Sequence, residues 1–136
     1  MLTQMQLITA LENQALRFAE QAGLRCATEN IKFDPPAGAI WLECYVIPAE
    51  TAALSLDGTL LSDIGIMQIS VHYPLDSGMN AVRQVVDALV AFFPHNSAIV
   101  EQGERIWLDE PTTAGRAIDG MIPVTVNYSY VGALSA

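Results

Sequence analysis

Near the start of the chain, apolar residues recur at steps of three and four: Met5, Ile8, Leu11, Ala15, Phe18 and Ala22, with Gln4, Glu12, Asn13 and Glu20 between them. That period puts one stripe on one side of a helix, so an amphipathic helix is predicted over Leu2 to Ala22, with Gly23 as its stop. The pattern then changes. "CATENIKF" is short enough for a strand, and "DPPAG" ends it because two prolines and a glycine cannot continue a ladder. "AIWLECYVIP", Ala39 to Pro48, is dense in β-branched and aromatic residues and predicts a central strand, apolar on both faces. In "IGIMQISVHYP" the alternation is clean, with Met67, Ile69, Val71 and Tyr73 on one face and Gln68, Ser70 and His72 on the other. A second helix follows "LDSG": Asp76 or Ser77 is placed to cap it, Met79, Val82, Val86, Leu89 and Phe93 form its stripe, and Pro94 ends it. Two more strands, "ERIWLDE" and "MIPVTVNYSYV", are joined by the turn-rich "PTTAGRAIDG", and Val124, Val126, Tyr128 and Tyr130 alternate with Thr125, Asn127 and Ser129. The order predicts an α+β fold, a mixed, largely antiparallel sheet of about four to five strands packed by two helices.

One stretch resists this scheme. "AETAALSLDGTLLS", within 49–63, is either a long connection or a protruding hairpin turning at "LDGT". Its Leu54, Leu56, Leu60 and Leu61 are apolar residues that a solvated loop does not need, which points to a partner. A length of 136 residues fits one domain, 1–136, able to bury its own core. With 51% of residues apolar and 15% charged, too little charged surface is left to cover the fold, and some apolar surface is expected to meet another subunit. No run is long enough to span a membrane and no signal peptide opens the chain, so a cytosolic protein is expected.

Charge removes another class of function. Six bases (Arg17, Arg25, Lys32, Arg83, Arg105 and Arg116) are scattered among fifteen acids for a net charge of -9, a balance that repels phosphate backbones. Cys26 and Cys44, without CxxC spacing, are expected to be reduced structural thiols rather than a disulfide or metal pair. Catalysis would have to rest on His72 with Ser70, Asp76 and Ser77, but no nucleophile elbow or oxyanion loop accompanies them. His72 is therefore read as a surface or interface histidine. His72 and His95 flank a whole helix without second ligands, so no metal site is expected, and no cofactor either. Asp109 and Glu110 read as a solvated acidic rim, and "DGTLLSDIG" lacks the spacing and lysine of a phosphate loop. An enzyme is not expected.

The passage from "FDPPAGAIWLECYVIPAE" through the variable connection to "IGIMQISVHYPLDSGMNAVRQVVDALVAFFP" resembles tail-terminator proteins of long-tailed bacteriophages and prophages, the class of the lambda-like minor tail protein U. Shared features are the leading helix, a "P.....WLE..V" strand, a "G..QI.V..P...G" strand-to-turn, a helix rich in valine and leucine and a closing "V.Y.Y" strand, together covering about Leu7 to Tyr130. The resemblance implies a structural protein that forms a ring, a hexamer in the family, on the completed tail tube. There it would stop polymerisation of the major tail tube protein and present a surface to the head–tail connector protein. It further implies assembly in the host cytoplasm, residence in the virion tail, and DNA passing through the lumen without specific binding. A ring needs different apolar patches on the two sides of each subunit. Ala49 to Ser62, with Leu54, Leu56, Asp57, Leu60 and Leu61, is the first candidate for contact with a neighbour or the tube. The turn Asp109 to Gly120 is the second, bringing in Trp107, Asp109, Glu110 and Arg116. Asp57, Asp63, Asp109 and Glu110 would repel DNA if they faced the lumen. Competing readings are another head–tail connector or tail-completion protein, and a small hydrolase or ligand-binding domain using His72.

Overall fold

In the computed structural model, which describes residues 1–29 and 31–133, helix α1 runs Gln4–Ala22 and is closed at both ends by its own sequence. The Thr3 hydroxyl accepts the Gln6 N–H at 3.1 Å while the Gln6 side chain accepts the Thr3 N–H at 2.8 Å, so two otherwise unpaired donors are satisfied reciprocally. Gly23 takes φ 70° and donates its N–H back to the last turn, a conformation that costs glycine little. The buried side differs from the predicted stripe. It comprises Leu7, Ala10, Leu11, Ala15, Phe18 and Ala19, while Met5 is 76% exposed. Small Ala10, Ala15 and Ala19 let the helix backbone approach the sheet, and the helix is rotated to bring them there.

Helix α2, Asn80–Phe92, buries Val82, Val86 and Leu89, with Phe93 buried just beyond its end, in line with its periodicity. The expected cap is not formed. Met79 occupies the N-cap position without a side-chain hydrogen bond. The Ser77 hydroxyl instead donates to the Pro74 carbonyl at 2.6 Å, and Asp76 sits at φ 63°, so both residues belong to the preceding turn.

The strands are β1 (Arg25–Thr28), β2 (Trp41–Ala53), β3 (Leu60–His72), β4 (Ser97–Glu101), β5 (Glu104–Leu108), β6 (Thr113–Ala114) and β7 (Met121–Ala133). Asn30, inside the stretch predicted as the first strand, lies outside the described residues. The sheet has seven strands in the order β1-β2-β3-β7-β5-β4, with β6 also paired to β7. This exceeds the prediction of about four to five. Strand β4 was hidden because "SAIVE" is short and because the hairpin to β5 turns at Gln102 and Gly103, φ 51° and 76°, where asparagine or aspartate is the usual signal. Among the described residues only β1 and β2 pair in parallel; the remaining ladders are antiparallel.

Strands β2, β3 and β7 bury Leu42, Cys44 and Val46, then Met67, Ile69 and Val71, then Val124, Val126, Tyr128 and Tyr130, in one core with both helices. Strand β2 is interior and apolar on both faces as expected, but only the Leu42, Cys44 and Val46 face is buried. Trp41, Glu43 and Tyr45 are only half-buried and Ile47 is exposed, because both helices pack on the opposite face. Two glycines make room for the tyrosines. A Cβ at Gly65 would fall 2.7 Å from the Ile47 carbonyl oxygen and 2.8 Å from the Tyr128 ring, and one at Gly132 would meet the Tyr130 ring.

Candidate interaction surface

The strand register decides which side chains turn away from the helices. Ile47 faces Ile66 across the β2–β3 ladder, Ile64 faces Ser129 across β3–β7, and Trp107 of β5 pairs with Ser129 from the other side. Ile47, Ile64, Val100, Trp107 and Val131 are each at least 40% exposed on this open face. Isolated exposed apolar residues are ordinary, but a connected set is a contact surface in waiting. Beside them lies a groove of about 350 Å³ with Ile64, Ile66 and Asn127 among its lining and Asp109 and Glu110 at its wall. The Ser129 hydroxyl donates to Asp109 Oδ2 at 2.7 Å, which fixes that carboxylate beside the groove.

Residues 49–63 extend the same sheet. Strand β2 bulges between Pro48 and Glu50 and then continues beside β3 as far as the Ala53–Leu61 pair, so the stretch forms the outer half of a long hairpin. Its tip is tied by its own polar atoms. Asp57 Oδ1 accepts the Ser55 hydroxyl at 2.7 Å, the Thr59 hydroxyl at 2.8 Å and the Thr59 N–H at 3.1 Å, and Leu60 N–H donates to the Ser55 hydroxyl at 3.1 Å. Donation by Ser55, then by Thr59, lowers the Asp57 carboxyl to about 2. The frame holds Leu56 fully exposed at the apex, with Leu54 and Leu60 exposed beside it and Leu61 half-buried below.

The candidate contact residues therefore fall in three places. Leu54, Leu56, Asp57, Leu60 and Leu61 belong to the hairpin; Trp107, Asp109 and Glu110 gather on the open face; Arg116 lies in the loop between β6 and β7, at the far end of β7. Asp63 does not share their exposure. It is 7% exposed, on the helix-facing side of β3, and accepts a hydrogen bond from the Thr51 hydroxyl.

Strand pairing also assembles a cluster that the sequence did not announce. Trp41 and His72 are cross-strand partners, and their rings stack 3.9 Å apart at 5°. Phe33 packs 5.3 Å from Trp41, and the Arg25 guanidinium lies 4.9 Å from the Phe33 ring. His72 Nε2 lies 3.3 Å from Glu43 Oε1, while Ser70 is buried and accepts from Gln68 at 3.3 Å, so His72 and Ser70 do not form a nucleophilic pair. Asp76 and Ser77 remain in their turn. Among the described residues no three histidine, cysteine or acidic side chains converge on a metal position. Cys26 and Cys44 are free, on adjacent strands; burial pushes the Cys26 thiol up to about 11 and also raises Cys44, which keeps both protonated and unreactive. No described helix is long and apolar enough to cross a membrane.

Comparison with curated proteins finds no match. A solved structure superposes with a TM-score of 0.74 at 26% sequence identity, over 100% of this chain and 99% of that one. The family model described as phage tail terminator protein matches residues 6–128. That match begins within α1, ends at Tyr128 in β7 and takes in the hairpin, helix α2, helix α1 from Gln6 onward and most of the face and groove described above, leaving out Ser129 and Val131; the chain belongs to the phage tail terminator family, a family of structural tail proteins.

Proposed function

We propose that this tail protein caps the completed tail tube as an oligomeric ring, so that tube polymerisation stops and a surface for head joining is created. The observation that carries this reading is the open sheet face, whose exposed Ile47, Ile64, Trp107 and Val131 continue into a hairpin with leucines at its apex. A subunit built this way has one broad apolar face for neighbours and one projecting arm for the last ring of tube protein. The Asp57 frame keeps the arm ordered before contact, which reduces the ordering entropy lost on docking. Asp57, exposed on the projecting arm, is an acid able to line a lumen and repel passing DNA; buried Asp63 is withdrawn from that role. The head–tail connector would meet the side of the ring facing away from the tube.

Light scattering over a concentration series, with negative-stain images of free protein and of protein added to polymerising tubes, tests the reading. The expected result is a closed ring of about six subunits, in solution or on tube tips, and tubes that no longer lengthen. A monomer at every concentration that also leaves tube growth unchanged overturns it.

A further inference from the structure

The six cations of the chain have different surroundings. Arg25 is engaged, donating to the Asp34 carbonyl at 3.3 Å and lying over Phe33. Arg17 and Arg83 stand on the solvent sides of α1 and α2, Lys32 follows Glu29 in an exposed segment, and Arg105 pairs across from Val100 on the open face itself. Like the other cations, Arg116 has no ion pair among the described residues; what distinguishes it is its setting, exposed in the loop between β6 and β7 with exposed Ile118 two residues on and exposed Asp119 beyond it. Exposed Leu75 lies on the neighbouring turn, which is tied to this loop by the Tyr73 N–H donating to the Gly120 carbonyl at 2.9 Å.

The groove on the open face is the counterpart of that patch. Its lining sets the carboxylates of Asp109 and Glu110 beside the apolar Ile64 and Ile66, which the apolar part of a docking loop could cover. Strand β7 separates the two, with Met121 beside the Arg116 loop and Ser129 beside the groove. From Pro123, whose carbonyl accepts the Gly115 N–H at 2.7 Å, to Asn127 at the groove is about 14 Å of strand at ~3.4 Å per residue. Among the described residues Arg116 forms no ion pair with the carboxylates of its own groove.

We propose that the Arg116 loop of one copy docks into the Asp109/Glu110 groove of the next, the guanidinium meeting the carboxylates while Ile118 covers Ile64 and Ile66. This rests on the ring reading and names the junction from which the ring is built. The choice of a second copy follows from charge. A chain of net charge -9 repels its own copies, and a contact that sets one of its few arginines against two of its acids offsets that repulsion where the copies touch. Because the two patches are different surfaces of the subunit, the contact is head-to-tail, the type that closes rings.

Charge exchange tests it. Arg116→Glu alone, and Asp109→Lys with Glu110→Lys, should each raise the concentration needed for assembly, in solution or on tube tips, by about tenfold or more. The chain carrying all three substitutions should return to near the wild-type concentration, a recovery that a misfolded variant cannot give. If the wild type assembles and Arg116→Glu assembles equally well, or the triple variant is not restored, the junction is wrong and the ring reading stands. If the wild type assembles neither alone nor on tubes, the ring reading fails and the junction with it.

Discussion

Tyr130 joins three parts of the chain through one hydroxyl. Buried in the core, it accepts the Leu2 N–H at 2.6 Å and donates to Glu104, which also lies 3.2 Å from the N-terminal ammonium. Replacing it by phenylalanine leaves the ring in place but the buried Leu2 N–H without an acceptor, a loss of about 1–3 kcal/mol in denaturant unfolding. The same residue sets an alkaline limit. Burial, then the Glu104 carboxylate, raises the Tyr130 hydroxyl above its ordinary value. A raised folded value means that this contribution is complete below the unfolded value of about 10 and fades as pH climbs through the folded one. Thermal melts across that alkaline window should fall for the wild type and fall less for Tyr130→Phe; parallel decline would remove Tyr130 as the cause.

The two helices begin in different ways, and their starts are separable by mutation. Thr3→Ala removes half of a reciprocal cap and should cost about 1 kcal/mol. Asp76, one of the two residues expected to cap α2, makes no cap bond and sits at positive φ, so Asp76→Gly should be neutral or stabilising by up to about 1 kcal/mol. Urea melts of the two variants, moving in these opposite senses, check both. The Asp76 reversal shows where local pattern stops informing. Alternation in β3 and β7 was legible because each has one wet and one dry face, and α2 was legible because its valines and leucines leave little choice of side. For α1 the small residues that approach the sheet were less conspicuous than Met5, and the rotation was missed. Pro48 marked an apparent strand end, yet a bulge carries β2 past it to Ala53. Trp107, Asp109 and Glu110 could be singled out together because they are neighbours in sequence. The groove lining of Ile64 and Ile66, and the Trp41–His72 stack, exist only through long-range pairing that no local window contains.

At the scale of the molecule, one sheet face is filled by helices and the other is largely open, so the residues that hold the fold differ from those proposed to make contacts. The hairpin makes this testable. Replacing Leu54 to Thr59 by a tight Asn-Gly turn removes exposed side chains and should leave the unfolding free energy within about 0.5 kcal/mol of wild type. Tube capping should be lost in the same protein; retained capping in electron micrographs would move the tube contact elsewhere. The strand order has a consequence in time. Strand β7, made after every other element described, lies between β3 and β5 and is the ladder that joins them. During synthesis the earlier strands can pair only as two separate groups, β1–β2–β3 and β4–β5, each with a greasy face and an open edge. The sheet is stitched when β7 leaves the ribosome, so until then a nascent chain has neither the Trp107–Ser129 pairing nor the groove, the surfaces proposed to meet a neighbour.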